Sequence, residues 1–336
     1  MIPEDTGATR AANKPEGRQA VPANLNVALS LAQIAASVAL LVGASTFGFS
    51  VLGAACVITF TFVMQTGFSL IHEAEHDKLH PTRWVNDALG ILTAAIFPGS
   101  FQFMKVAHLS HHRKNRSDAE LVDYVRNGES FALKTIQYYA LITGVIWLGV
   151  PLLSALIALT PSFGSEPTDE TPKSGAALYL QFVREARPYR VRLELIFVVT
   201  LWTLILKVLP ISFEALAVSY GAFAFSWASQ QYVYHIRTPR HLVEGAFNLR
   251  LPRALELLYL NFNHHLTHHR NVMVPWIHLP ELSERPERAY LATYLDLWRP
   301  PEPVERAFPV QFQAKGPLEA RPTLPEAANA SYVRRD

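Results

Sequence analysis

The stretch SVLGAACVITFTFVMQTGFSLIHEAEH, residues 50–76, joins a long apolar run to two histidines four positions apart. From Ser50 to Ile71 it carries no charged side chain. At about 1.5 Å of rise per residue, a helix of that length crosses the roughly 30 Å hydrocarbon core of a bilayer. The run passes without a break into His72-Glu73-Ala74-Glu75-His76. Positions i and i+4 share one face of a helix, so His72 and His76 can grip a single ion at the membrane's edge.

Working outward, Leu25–Thr46 is a second uncharged run, and the link Phe47-Gly48-Phe49 predicts a helical hairpin. Phe131–Leu159 is a third, interrupted by Lys134 near its start and by Pro151 late on. Leu193–Leu209 carries charge only at Glu194 and Lys207, where a side chain can reach the interface. Ala215–Tyr234 follows after Pro210, again hairpin-like, and ends at His235. Ala88–Phe97 is too short to span and reads as an interfacial helix.

Basic residues near membrane ends set orientation. Lys78, Arg83, Lys105, Arg113, Lys114 and Arg116 follow the first hairpin; Arg184, Arg187, Arg190 and Arg192 precede the second. Arg237, Arg240, Arg250, Arg253 and Arg270 follow it. All three groups belong on the cytoplasmic side, so Phe131–Leu159 must enter and leave on one side, folded at Pro151. The expected fold is an all-α integral membrane protein: four transmembrane helices in two hairpins, a bent or re-entrant segment, and a cytoplasmic helical cap. Residues 1–24 read as a flexible cytoplasmic arm without a signal-peptide pattern, 25–298 as the membrane domain, and 299–336 as an irregular Pro-rich tail.

Composition agrees. Half of the 336 residues are apolar and 17% are charged, against roughly 25% in soluble proteins. A net charge of +2 gives no reason to expect nucleic acid. A single cysteine, Cys56, excludes disulfides, thiolate zinc sites and cysteine-held iron–sulfur clusters within the chain. Metal chemistry must then use nitrogen and oxygen, and 13 histidines are present.

Those histidines cluster. His108, His111 and His112 have i, i+3, i+4 spacing, and His265, His268 and His269 repeat it. His264 is turned about 100° from His265 and is the weaker candidate. His235 ends the last apolar run, with Gln231 one turn earlier, placed to hold a metal-bound water. Packed imidazoles suit iron, zinc or copper, and nine of them exceed the needs of one ion but fit two. A lone histidine is more often structural: His80, His241 and His278 read as surface or loop groups. Among acidic residues that could orient a ligand, Asp118 is favoured over Glu73, Glu75, Glu120 and Asp123.

These boxes resemble those of the membrane fatty acid desaturase and hydroxylase superfamily: His-x(3–4)-His, His-x(2–3)-His-His and (His/Gln)-x(2–3)-His-His, in that order. Here they are His72…His76, His108…His111-His112 and His265…His268-His269. The segment from Gln231 to Leu282, with Gly245-Ala246-Phe247-Asn248-Leu249 and Val274-Pro275-Trp276-Ile277-His278-Leu279-Pro280, is similar to bacterial members. The resemblance covers roughly residues 25–285. It implies two iron ions at the cytoplasmic face of a bacterial inner membrane, O2 as co-substrate, and removal of hydrogen from an acyl or acyl-like chain. His235 is carried over as a ligand; some relatives have an asparagine and a histidine at the spacing of Gln231 and His235. No His-Pro-Gly-Gly haem motif and no G-x-G-x-x-G stretch occurs, so electrons are expected from a separate ferredoxin- or cytochrome b5-like carrier and its reductase.

Other readings exist. Desaturation, hydroxylation and ketolation share this histidine pattern, as do bulk lipid and small specialised-metabolite substrates. His72-Glu73-x-x-His76 also fits a zinc metalloprotease with Glu73 as general base, which leaves the other clusters without a role. A metal transporter would place its site near the bilayer midplane, not at the ends of spans.

Overall fold

A computed structural model describes residues 19–118, 120–145, 149–159, 181, 185–284, 286 and 288–303. Its frame is one helical hairpin with further helices packed beside it. Helices α1 (Ala23–Phe47) and α2 (Val51–Glu75) pack along each other. Gly48 turns the chain between them at φ +53°, and Ser50 caps α2 by accepting the Gly53 N–H at 3.2 Å. Both helices are long and apolar enough to cross a bilayer. Their seam is partly polar: Asn26, Ser30, Gln33 and Ser37 recur along one buried face of α1. Gln33 Nε2 donates to Ser37 Oγ at 2.9 Å, and a Cβ at Gly67 would lie 2.7 Å from the same Nε2. Small and hydroxylated residues let two apolar helices approach closely where lipid offers no hydrophobic drive.

Helices α3 (Arg83–Ile96) and α4 (Phe101–Lys114) follow, bent by 100° at the break between them. Together they could count as one broken span. By itself α3 is an amphipathic helix, with Asn86, Leu89, Thr93 and Ile96 buried and Trp84 exposed.

The run Phe131–Leu159 breaks elsewhere than expected. It forms α5 (Phe131–Ile142), which ends with Thr143 as its C-cap, and α6 (Val150–Leu159), which contains Pro151; residues 146–148 lie outside the described residues. What ends α5 is Gly144 at φ +87°, where a Cβ would sit 2.7 Å from the Ala224 carbonyl oxygen. Pro151 lies in the first turn of α6, where its missing N–H costs no intrahelical bond.

Helices α7 (Pro188–Val208) and α8 (Phe213–Tyr232) follow, but they do not pack along each other as the expected second hairpin would: α7 lies against α6, α3 and α4, and α8 against α2, α1 and α5. These helices match a bilayer in length but are more polar, α7 through Arg190, Arg192 and Glu194 and α8 through Ser226, Ser229, Gln230 and Gln231. Among the described residues, composition therefore marks α1 and α2 as spans, and the bent α3–α4 pair as a third if the pair is one span. Glu194 does not reach the interface. It is buried, accepting from Ser100 Oγ at 2.6 Å and the Gln102 N–H at 2.9 Å, and so caps α4 from a neighbouring helix.

Short helices complete the chain: α9 (Arg253–Leu258), α10 (His265–Arg270), α11 (Leu279–Leu282) and α12 (Tyr290–Leu297). Two parallel strand pairs tie loops together: β1 (Tyr124–Val125) with β4 (Glu302–Pro303), and β2 (Leu249–Arg250) with β3 (Arg288–Ala289). Residues 299–303 are thus stitched to the body. Residues 1–18 of the expected arm and 304–336 of the expected tail lie outside the described residues. An aromatic core of Phe60, Phe68, Phe223, Trp227, Tyr234, Tyr259 and Phe262 fills the space between α2 and α8. Phe68 stands one turn before His72 on α2, so this core forms the floor under the histidines.

Candidate metal centre

Four segments bring the histidines together. The end of α2 supplies His72 and His76; α4 supplies His108, His111 and His112. The turn after α8 supplies His235, and α10 supplies His265, His268 and His269. They fall into two groups, His72, His76, His108, His112 and His268 in one, and His111, His235, His265 and His269 in the other. Within each group one ligand atom per residue lies within 4.8 Å of all the others.

The contacts are made by Nε2 atoms. In the first group His76 and His108 approach to 2.7 Å, His108 and His112 to 3.0 Å, and His112 and His268 to 3.1 Å. In the second, His265 lies 3.0 Å from His235 and 3.2 Å from His269. A neutral imidazole has one N–H and one lone pair, so such a chain leaves lone pairs facing each other. An ion removes the conflict. Nitrogens at right angles around a metal with bonds of about 2.1 Å lie about 3.0 Å apart, which matches the spacing here. His72 Nε2 is buried with no partner in the protein, as expected of a donor kept for a metal.

Charge agrees. Burial, and then neighbouring imidazoles, push His265 and His269 well below the ordinary histidine pKa. His235 and His268 move the same way, again chiefly by burial. Neutral imidazole is the form that ligates.

Outer partners orient the rings. His235 Nδ1 donates to the Gly245 carbonyl at 2.7 Å, which leaves Nε2 for the site. His111 Nδ1 donates to Glu120 Oε2 at 2.8 Å. Glu75 Oε2, 3.9 Å from His108 Nδ1, and Glu73 Oε1, 3.8 Å from His72 Nδ1, are too far to hydrogen-bond those rings. The other Glu73 oxygen accepts the Trp276 backbone N–H at 3.1 Å.

Asp118, the acidic residue favoured by sequence, is not among these partners. It pairs with Arg240, and with Arg126 at 2.8 Å. Glu120 takes the orienting role because the chain doubles back after α4. Arg116 turns it at φ +60°, and its guanidinium is buried against Asp123 Oδ1 at 2.7 Å, Tyr232 OH at 3.2 Å and the Thr238 carbonyl at 2.9 Å. Asp123 also accepts the Arg237 N–H at 2.6 Å. Spacing offers no signal for such a turn.

The remaining histidines stand apart. His264 caps α10 in sequence and contacts Ser283 Oγ at 2.6 Å, outside both groups. His80 and His241 bond locally to loop N–H groups, and His278 reaches the Ala20 carbonyl. Gln231 Nε2 is buried without a hydrogen-bond partner among the described residues. Backbone strain gathers here too. All five non-glycine residues with positive φ among the described residues, Asp77, Arg116, Arg237, Leu260 and Asn261, lie within five positions of a clustered histidine. Each costs on the order of 1–3 kcal/mol, and such outliers collect at functional sites.

Long apolar helices, with nine clustered imidazoles of which six are buried, in two groups that could each hold an ion, define a membrane protein with a histidine-built metal centre. The fatty acid desaturase family model matches residues 27–301, and the chain belongs to that family, within the membrane desaturase and hydroxylase superfamily. Neither the curated proteins nor the solved structures give a match to it. The metalloprotease reading fails at this point: His72 and His76 share their group with three more imidazoles, and Glu73 is engaged by Trp276.

Proposed function

We propose that this protein is a membrane-bound, O2-dependent di-iron desaturase that introduces a carbon–carbon double bond into a fatty-acyl or acyl-like substrate. The observation that carries the reading is the division of nine histidines into two ligand groups in a chain of this family. His72, His76, His108, His112 and His268 hold one iron, and His111, His235, His265 and His269 the other. Bound iron supplies the one-electron chemistry and O2 activation that acid–base side chains lack, which an unactivated C–H bond requires.

The chain's own contribution is placement and exclusion. Burial disfavours the protonated form of His265 and His269, so protons compete less for their ligating nitrogens. Glu120 and the Gly245 carbonyl hold the Nδ1 protons of His111 and His235, which turns Nε2 inward. The aromatic floor of Phe68, Trp227 and Phe262 keeps bulk water from the bundle side. The topology proposed with it is four crossings, α1, α2, α7 and α8, with residues 25–298 as one domain. The histidine-bearing ends then form a cap on the cytoplasmic face of a bacterial inner membrane. A ferredoxin- or cytochrome b5-like carrier with its reductase delivers electrons to that face.

Mass spectrometry of lipids and small metabolites, with and without expression, tests the reaction. A product lighter by two hydrogens is expected. A product heavier by one oxygen would replace desaturation by hydroxylation, and no changed molecule in an electron-supplied membrane would overturn the reading.

A further inference from the structure

The two histidine groups are built by different means. In the five-histidine group, His72, His108 and His112 ride on α2 and α4, helices of 25 and 14 residues, and His76 is the C-cap residue of α2. In the four-histidine group, only His111 rides on such a helix. His265 and His269 sit on α10, six residues long, whose N-cap residue His264 makes no side-chain capping bond. His235 sits in a turn. Isolated helices this short are not stable in water, so something else must hold α10.

That support is the strap Gly245–Leu249. Asn248 Oδ1 accepts the Thr267 backbone N–H at 3.0 Å, and Asn248 Nδ2 donates to Thr267 Oγ1 at 2.9 Å. The Phe247 carbonyl accepts the Leu266 N–H at 3.3 Å. Two orphan N–H groups in the first turn of α10 are thus capped from outside the helix. The same strap reaches the other ligand: the Gly245 carbonyl accepts from His235 Nδ1, and the Phe247 N–H donates to the Tyr234 carbonyl at 2.9 Å. Its path has no slack. A Cβ at Gly245 would lie 2.4 Å from the His241 carbonyl oxygen and 2.5 Å from Arg116 Cγ.

We infer that the strap Gly245–Leu249, with Asn248 as its positioning residue, assembles the four-histidine subsite, which therefore releases its metal before the helix-borne five-histidine subsite does. The strap governs three of four ligands in one group, His235, His265 and His269, and one of five in the other, His268. The inference rests on the two-metal reading above.

The test uses full-length protein in detergent, loaded with ferrous iron and mixed with a ferrous chelator. Wild type should release two irons per chain in two equal phases, with rates that differ on the order of tenfold. His235→Ala should remove the fast phase and keep the slow one. Asn248→Ala should speed the fast phase on the order of tenfold and leave the slow phase in place. Gly245→Ala should act in the same direction. Asn248→Asp, which still accepts the Thr267 N–H, should restore wild-type release. Two irons leaving in a single phase would overturn the inference without any variant. So would an Asn248→Ala curve identical to wild type, or one in which both phases quicken equally. A wild-type content of one metal per chain would overturn the two-metal reading, and the inference with it.

Discussion

The five-histidine and four-histidine groups show two ways to build a metal subsite from one kind of ligand. The first, apart from His268 on α10, extends helices whose other ends lie far from the site, so most of its geometry follows from helical period. The second gathers a turn, a six-residue helix and one residue of α4, and depends on bonds between distant segments. Periodicity suffices where a helix is long. Where it is short, carbonyls, amides and one carboxylate must do the positioning.

Several changes would break or sharpen that contrast. The largest effect is expected at a ligand: His268→Ala or His111→Ala should abolish product formation and lower bound iron. Full activity in both variants would refute the ligand assignment. Next is the buried Arg116–Asp123 pair beside His235. Asp123→Ala strands a buried guanidinium and should cost about 3–5 kcal/mol, seen as a lowered Tm in detergent. A shift equivalent to under about 1 kcal/mol would mean that the pair is solvated.

Glu120→Ala should weaken metal binding at the four-histidine group about tenfold while Asp118→Ala leaves it unchanged, measured by iron titration. Equal effects would return Asp118 to the role expected from sequence. The mildest change is His264→Ala, which loses the contact with Ser283, should cost about 1 kcal/mol and should keep both metals. Loss of iron there would bring His264 into the site.

Acid adds a further check on metal-free protein. The native pKa values of His235, His265, His268 and His269 are depressed, so the unfolded chain binds protons that the folded one does not. Their contribution is present above the unfolded value of about 6.5 and is lost as pH falls below it. Thermal unfolding should show Tm dropping between about pH 7 and pH 5, and a flat profile would argue that these imidazoles are solvated.

The same contrast separates what is legible in the amino-acid sequence from what is not. The spacing of His72 with His76 and of His108 with His111 and His112 speaks directly, because helical faces are periodic. The apolar runs of α1 and α2 do so for the same reason. Sequence alone favours Asp118 over Glu120; both follow α4 closely, and only the left-handed turn at Arg116 decides which faces the site. Composition likewise points to Pro151 as the break in Phe131–Leu159, because proline is the stronger breaker. A proline in a helix's first turn is harmless, whereas Gly144 meets a steric limit set by Ala224 on another helix. Glu194, a charge near the end of an apolar run, caps α4 across the bundle. In each case a distant segment outweighs the local pattern.

Metal analysis of the purified full-length chain tests the central claim most directly. Two irons per chain are predicted, with His76→Ala and His235→Ala each lowering the count. One zinc per chain, held when His111, His235, His265 and His269 are all replaced, would contradict the account.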